Sequence, residues 1–295
     1  KDAGYGGLNV TRAMMDAQMK YKVAYSQGLE KFRYIEDEAL VGWASQGSYP
    51  DSMSKSFECQ IMDWADDVAY AVHDLEDSVH SGFLSSHSFR DSILITTVLD
   101  DAFKKTVKSG LKVDADVIQD HWLNLVSDLQ ARDHSLSTMG PTPPTYAEQK
   151  ARRKELTSHL ISKYIKAVGR AERPGASGQV ESERYRYQVA IPLKERIEVT
   201  LINCLIMAAV MRSSQVMTLE KKGRQIIRQL FYSHLDADGY YLFPNDWREL
   251  TSLRQPTDER ARIVCDYLSG MTDAYAQKLF ARLFLPNQGT VFDLM

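Results

Sequence analysis

The stretch FECQIMDWADDVAYAVHDLEDSV, from Phe57 to Val79, decides the fold of this chain. Apolar residues recur along it at steps of three or four, the spacing of one face of an α-helix. They are Phe57, Ile61, Trp64, Val68, Val72, Leu75 and Val79. At roughly 100° per residue, this stripe covers about 80° of the helix surface. The stretch is therefore predicted to be an amphipathic helix that packs on a core.

The opposite side of this helix carries three carboxylates, a phenol and an imidazole within roughly 100° of arc. They are Asp66, Tyr70, His73, Asp74 and Asp77. One interpretation is a surface helix with a solvated polar side, which is the usual case. The other is a metal or phosphate-ester site. Carboxylate, phenol and carboxylate at steps of four place a hard oxygen ligand and two hydrogen-bonding groups in one line. Periodicity leaves both interpretations open.

The letters ADDVAYAVHDLED, Ala65 to Asp77, resemble the last motif of the HD-domain deoxynucleoside triphosphate triphosphohydrolases, the dGTPase-like proteins. In that family, a helix with this pattern supplies the final aspartate of a divalent metal site formed by two His and two Asp. The resemblance implies that Asp66 is a metal ligand, with Mg, Mn or another transition metal as the ion. It also implies that Tyr70 and Asp74 contact the deoxyribose around its 3′-hydroxyl.

Two segments ahead of this helix resemble the same family. GLNVTRAMMDAQMKY (7–21) is similar to its G-L-N-L-T-R-A element, and LEKFRYIEDE (29–38) to its K-F-G-Y segment, with Arg33 where glycine is usual. In such enzymes this region binds the triphosphate, and the matching residues are Lys20, Tyr21, Lys31 and, more weakly, Asn9. A triphosphate carries about four negative charges, which ammonium groups neutralise. For each lysine, a solvated surface position is the alternative.

The C-terminal stretch DERARIVCDYLSGMTDAYAQKLFARLFL (258–285) resembles the family's C-terminal helices. The matching residues are Asp266, Tyr267, Gly270, Met271, Thr272, Asp273 and Tyr275. From the residues alone, the interpretation is structural. Gly270 allows a break, and Thr272 and Asp273 are predicted to cap the next helix.

Composition excludes several classes of protein. With 295 residues, 44% hydrophobic and 25% charged, the chain is typical of a globular protein. A net charge of −3 gives no global basic field for nucleic acid or an anionic membrane. No run of 18 apolar residues occurs, so no membrane partner is expected. Cys59, Cys204 and Cys265 are far apart, which favours a reducing, cytoplasmic location over a disulfide framework.

The pattern along the chain predicts an all-α, mostly helical HD-domain-like bundle, with at most a small β-hairpin near 184–191 and 240–243. Ser56 is predicted to cap the helix that begins at Phe57. Gly110 is predicted to end the helix at 91–108. The main helices are predicted at 91–108, 114–132, 147–168, 194–211 and 218–233. A further helix is predicted to start at Asn9 or Thr11 and to reach Lys20.

The run GPTPPT (140–145) breaks any continuous element and gives the best internal boundary. We therefore expect residues 1–140 to be the C-terminal part of an HD-type catalytic domain that carries its last metal-ligand motif. Residues 141–295 are expected to form a helical C-terminal region packed on it.

The family reaction is hydrolysis of a deoxynucleoside triphosphate to deoxynucleoside and inorganic triphosphate. The preceding family motifs, a His and then an adjacent His-Asp, are absent from these 295 residues ahead of the helix at Phe57. We therefore expect a part of a metal-dependent triphosphohydrolase that is incomplete and inactive as this chain alone. No catalytic residue beyond the metal ligand Asp66 is predicted. The resemblance also implies a homo-oligomer.

The alternative is a non-enzymatic helical module for oligomerisation or for binding nucleotide or single-stranded nucleic acid. Its support is the basic character of the predicted helices at 147–168 and 218–233. Arg152, Arg153 and Lys154 form the densest cluster. Such a module is predicted to bind single-stranded DNA in a salt-sensitive way.

Overall fold

Helices make up nearly all of the regular structure, which confirms the all-α prediction. The computed structural model describes residues 9–46, 54–133, 136, 145–174, 182–251, 256–286 and 288. By contacts within the chain, two compact units divide at Met211 and Arg212. The boundary predicted between 140 and 141 lies outside the described residues.

The first unit contains eight of the described helices and the two strands. The helices are α1 (Arg12–Gln18), α2 (Glu38–Ala44), α3 (Phe57–His80), α4 (Ser92–Lys108), α5 (Ala115–Arg132), α6 (Tyr146–Lys166), α7 (Glu183–Arg186) and α8 (Leu193–Ile206). The strands β1 (Gly169–Glu172) and β2 (Tyr187–Ala190) pair antiparallel, with Gly169 opposite Ala190. Short 3₁₀ turns lie at Ile35–Asp37 and Ser88–Arg90.

The predicted hairpin is only partly right. The strand near 184–191 is present as β2, but its partner is β1, whose sequence GRAE is polar and carries little strand signal. The other predicted arm, near 240–243, is wrong because Ala237–Leu242 is a 3₁₀ helix. There the chain folds tightly onto the end of the preceding helix: a Cβ at Gly239 would meet the carbonyl oxygen of His234 at 2.4 Å.

Helix α3 buries the predicted apolar stripe from Trp64 to Val79 and packs against α6 and α8. At its first turns the buried face is rotated from the prediction, since Ile61 is 41% exposed and Cys59 is fully buried. The indole Nε1 of Trp64 donates to the carbonyl oxygen of Tyr164, 3.1 Å away. The packing on α6 and α8 and this hydrogen bond determine the direction in which the polar side of α3 faces.

Local capping agrees with the sequence. Ser56 accepts a hydrogen bond from the amide of Cys59 (3.3 Å), and Thr11 accepts from Met14 (3.2 Å). Gly110 adopts φ +86° after α4, a conformation that favours glycine. The predicted caps at Ser56 and Gly110 are thus confirmed, while the first helix ends at Gln18 rather than at Lys20.

Helix α8 is the centre of the first unit and packs against α3, α4 and α5. It ends at Ile206 and passes into a π-helical turn, Met207–Met211, where a continuous α-helix was predicted. Although α8 is largely buried, none of the helices within the described residues is by itself long and apolar enough to cross a membrane.

The second unit is helical in its described residues. It consists of α9 (Ser214–Leu235), the 3₁₀ segment, α10 (Asn245–Leu250), α11 (Thr257–Ser269) and α12 (Asp273–Phe284). Thr272 caps α12 by accepting from Tyr275, as predicted. The buried core of this unit is Ile226, Leu230, Phe243, Val264, Tyr267, Leu268, Ala276 and Leu279.

His234 is buried in this core, with its ring against those of Phe243 and Tyr267. Its Nδ1 lies 2.8 Å from the carbonyl oxygen of Leu230, and its Nε2 has no hydrogen-bond partner within the described residues. Burial lowers the pKa of His234, because the protonated imidazole would lose its hydration.

The second unit is expected to become less stable as the pH decreases, because of His234. A base with a lowered pKa in the folded state contributes full stability above its unfolded pKa of about 6.5, and loses it as the pH falls further. In His234→Gln the loss of thermal stability between about pH 7.5 and 5.5 should be smaller than in the wild type. The exposed His87→Gln is the control. If the thermal stability of the wild type and of His234→Gln depended equally on pH, the pH dependence would have to come from another group.

Candidate functional site

A buried charge network anchors the segment that follows α1. The ammonium of Lys22 lies 2.6 Å from Oδ1 of Asp16 and 2.7 Å from the hydroxyl of Tyr185, which donates to Oδ2 of Asp16 (2.6 Å). The side chains of Lys22 and Asp16 are 2% and 0% exposed. Arg184 adds a second cation, 3.3 Å from Asp16. The network ties α1 and the following segment to α7.

Lys20 and Tyr21 precede this anchor and lie beside the polar side of α3. The ammonium of Lys20 forms an ion pair with Asp63 and lies 3.2 Å from Oδ2 of Asp66. The hydrogen bond to Asp63, assisted by Asp66, raises the pKa of Lys20 against the opposing effect of burial. Asp63 also pairs with Lys55. Although burial alone would raise it, the two lysines lower the pKa of Asp63.

Three ammonium groups surround the ring of Tyr21. Those of Lys31, Lys20 and Lys55 lie 5.2, 6.0 and 6.0 Å from its centroid. These distances are within reach of cation–π attraction. Lys31 returns to Tyr21 because the chain reverses at Gly28, with φ +89°, and Ala24 then pairs with Arg33. We call Lys20, Lys31 and Lys55 the lysine cluster.

The polar side of α3 continues away from the lysine cluster. Tyr70 and Asp74 follow Asp66 by one and two helical turns, about 6 and 12 Å along the axis. Tyr70 is 62% exposed. Asp74 is half-buried and lines a pocket of about 300 Å³ with Ile206 and Met211. Burial, together with the nearby carboxylate of Asp77, raises the pKa of Asp74.

The structure brings together most of the residues predicted to bind substrate or metal. Lys20 lies against Asp66, and the ring of Tyr21 lies near both Lys20 and Lys31. Tyr70 and Asp74 lie on the same side of α3 as Asp66. Asn9 is exposed, with φ +47°, and within the described residues no hydrogen bond or ion pair joins it to the lysine cluster. The roles of these residues remain predictions.

The comparisons with known proteins agree with the motifs. Residues 189–282 match the model of a phosphohydrolase-associated domain. A deoxyguanosinetriphosphate triphosphohydrolase-like protein of Streptomyces coelicolor is 30% identical over 95% of this chain and 64% of its own length. The resemblance predicted from the sequence is confirmed. A dGTPase-like protein of Shewanella halifaxensis is 27% identical over 98% of this chain and 66% of its own length. One of Aliivibrio fischeri is 28% identical over 82% of this chain and 48% of its own length.

The chain spans about half to two thirds of the length of these dGTPase-like relatives. Their names place the similarity with phosphohydrolases. Nothing in these comparisons favours the alternative of a non-enzymatic helical module.

The described residues fit one ligand of a divalent metal site and do not fit a complete one. Asp66 is a half-exposed carboxylate whose Oδ1 has no hydrogen-bond partner within the described part of the chain. No group of three or more His, Cys, Asp or Glu able to hold a metal ion occurs among the described residues. His73 does not change this, since its Nδ1 lies 2.8 Å from the carbonyl oxygen of Ala69 in its own helix.

The sequence did not single out Lys55, Asp63, Arg173 or Arg196, which the structure places around the same end of α3. Lys55 lies in a Ser-rich loop and Asp63 outside the matched motif positions. Arg173 and Arg196 are more than 100 residues further along, and they reach α3 only because β1 pairs with β2 and α8 packs on α3. No local pattern carries that information.

The basic cluster on α6 differs from its prediction. Arg153 is buried, at 8% exposed, and lines a small gap beside Asp133, while Arg152 is half-buried. Only Lys154 of the three is exposed. Binding of single-stranded nucleic acid remains a prediction, with a smaller basic surface on this helix than the sequence suggested.

Loss of the Lys22 ammonium is expected to destabilise the first unit strongly. In Lys22→Met the buried carboxylate of Asp16 loses its nearest cation, and breaking such a pair typically costs about 3–5 kcal/mol. Arg184 remains near Asp16, so the lower part of this range is expected. Urea unfolding measures the change. The control Lys31→Met removes an exposed ammonium and should change the free energy of unfolding by less than about 0.5 kcal/mol. Equal effects in both variants would contradict an anchoring role.

Proposed function

We propose that this chain is part of a metal-dependent deoxynucleoside triphosphate triphosphohydrolase. Its reaction converts a dNTP, dGTP among them, and water to deoxynucleoside and inorganic triphosphate. The observation that carries this proposal is the lysine cluster around Tyr21, of which Lys20 lies against Asp66. Asp66 belongs to a helix whose sequence resembles the last motif of the dGTPase-like proteins. The relatives with that name support the same reaction class.

In this proposal the lysine cluster binds the triphosphate. Its three positive charges face the carboxylates of Asp63 and Asp66, which leaves one charge in excess before any ligand binds. Lys31 is exposed and makes no ion pair within the described residues, so it is the cation most free to contact phosphate. The ring of Tyr21 holds the three ammonium groups near one another without neutralising them.

The polar side of α3 beyond Asp66 is proposed to orient the sugar. Asp74 accepts a hydrogen bond from the 3′-hydroxyl, and the exposed ring of Tyr70 packs against the deoxyribose. Close packing there disfavours a 2′-hydroxyl, because an added hydroxyl without a partner loses its hydration. Fixed contacts to the sugar also hold the α-phosphate at one distance from Asp66.

Asp66 is proposed to hold a divalent cation together with ligands from outside the described residues. Such an ion, when bound, offsets phosphate charge and lowers the pKa of a bound water. One carboxylate does not make a tight divalent site, since affinity comes from several ligands. We therefore propose that the described residues alone do not catalyse hydrolysis. A homo-oligomer and a cytoplasmic location remain proposals that rest on the resemblance and on composition.

The substitution Asp66→Asn tests the proposed function in the polypeptide that carries this chain. Release of triphosphate from dGTP with Mn²⁺ or Mg²⁺ is expected to fall by at least about 100-fold, since even indirect partners of metal ligands typically contribute 10- to 100-fold. EDTA should have the same effect on the wild type. The control Asp100→Asn removes an exposed carboxylate of α4 and should keep full activity. Retained turnover in Asp66→Asn would exclude the proposed role.

A further inference from the structure

A cavity of about 330 Å³ lies beside the first turns of α3 and is lined largely by charged side chains. Its charged lining consists of Lys55, Asp63, Asp67, Arg173 and Arg196. The amides of Gln60 and Gln188 contribute further polar atoms. The three cations come from separate parts of the chain: the loop before α3, the residue just after β1 and the first turn of α8.

Both arginines retain hydrogen-bond donors that the described residues do not use. Arg173 donates from Nη1 to the hydroxyl of Ser54 (3.1 Å) and from Nη2 to the carbonyl oxygen of Lys55 (3.0 Å). Its Nε is buried and has no partner within the described residues. Arg196 donates from Nε to the carbonyl oxygen of Ile191 (3.3 Å), and no bond from its terminal amino groups occurs within the same residues. Such donors match phosphate oxygens in geometry and charge.

The charge of the cavity favours an anion. Lys55, Arg173 and Arg196 exceed Asp63 and Asp67 by one positive charge. The carboxylate of Asp63 is already shared between Lys55 and Lys20, so it repels an anion less than a free carboxylate would. Asp67 makes no ion pair or hydrogen bond within the described residues, so of the two carboxylates in the lining it opposes anion binding more.

The cavity is continuous in charge with the lysine cluster, because Lys55 belongs to both and Asp63 joins it to Lys20. Its volume is at the lower end of the range of roughly 300–1,000 Å³ that small-molecule sites occupy. A polyphosphate chain therefore suits it better than a whole nucleotide.

We propose that this cavity binds the distal phosphates of a polyphosphate chain, with Arg196 and Arg173 as their hydrogen-bond donors and Lys55 shared with the lysine cluster. The inference rests on the proposed function in that the chain is taken to be the triphosphate of a dNTP. Inorganic triphosphate, the product of the same reaction, has the same chemistry. Both ligands are expected to bind without a divalent cation, since the donors are side chains of this protein.

Calorimetric titration of the whole chain with inorganic tripolyphosphate, in EDTA and low salt, tests the proposal. Arg196→Gln should weaken binding about tenfold, the loss expected for a charge-assisted hydrogen bond. Asp67→Asn should tighten it, because the opposing carboxylate is removed. Lys194→Gln is the matched control: it removes an exposed cation from the same helix outside the cavity and should bind within about twofold of the wild type.

The variant Arg196→Lys keeps the charge but loses the planar pair of donors, and should bind between the wild type and Arg196→Gln. Circular dichroism shows whether each variant is folded, and Asp67→Asn gives an independent answer should an arginine variant not fold. Absence of tripolyphosphate binding by the wild type, or equal binding by Arg196→Gln, Asp67→Asn and Lys194→Gln, would overturn the proposal.

Titrations with dGTP and with deoxyguanosine separate the ligand sources. We expect Arg196→Gln to weaken the binding of dGTP and of tripolyphosphate equally and to leave the binding of deoxyguanosine unchanged. The outcome is independent of the hydrolysis assay. Turnover of dGTP by the polypeptide that carries this chain, together with unchanged tripolyphosphate binding by Arg196→Gln, would remove this inference alone. Selective loss of tripolyphosphate binding in Arg196→Gln, together with no turnover of dGTP by that polypeptide, would remove the proposed function alone.

Discussion

The first unit's candidate site depends on one buried interaction, the ion pair of Lys22 with Asp16 closed by the hydroxyl of Tyr185. A buried ammonium without partners loses several kcal/mol of hydration, so Lys22 is held where Asp16 and Tyr185 are. Tyr21 and Lys20 precede it directly in the chain, and their positions follow from that anchor. In this segment Lys22 is buried, Tyr21 is exposed and Lys20 is half-buried, so an otherwise irregular stretch presents charges at a defined place.

Helix α3 supplies the fixed partner of that segment. Its apolar side is seated against α6 and α8, and the indole bond from Trp64 to the carbonyl of Tyr164 prevents rotation about the helix axis. Asp63 and Asp66 are therefore held in place by packing rather than by their own ion pairs. The lysines, in contrast, are long and flexible, and they gather where these carboxylates and the ring of Tyr21 are. Carboxylates fixed by packing and lysines gathered around them give a surface that is ordered before a ligand arrives.

What the sequence predicted was local, and what it missed depends on distant contacts. The helix from Phe57, its cap at Ser56 and the end at Gly110 follow from spacing and residue type, and the structure has them. The family resemblance assigned Lys20 to the triphosphate and Asp66 to the metal, and the contact between them was not itself predicted. Arg173 and Arg196 could not be predicted to lie there, because they are brought to α3 by the pairing of the polar strand β1 with β2 and by the packing of α8 on α3. Burial of Arg153 was missed for the same reason: its place on α6 is basic in sequence but faces the gap beside Asp133.

A chain with a net charge of −3 can still hold a locally positive surface, because charges further apart than about 10 Å are largely screened at an ionic strength of about 0.1 M. Around the first turns of α3, the cations Lys20, Lys31, Lys55, Arg173 and Arg196 face the carboxylates Asp63, Asp66 and Asp67. The carboxylates keep the cations close together when no ligand is bound, since five positive side chains would otherwise repel one another. In the proposed binding of a polyphosphate, the donors would already be in position, and little of the binding free energy would be lost in ordering them.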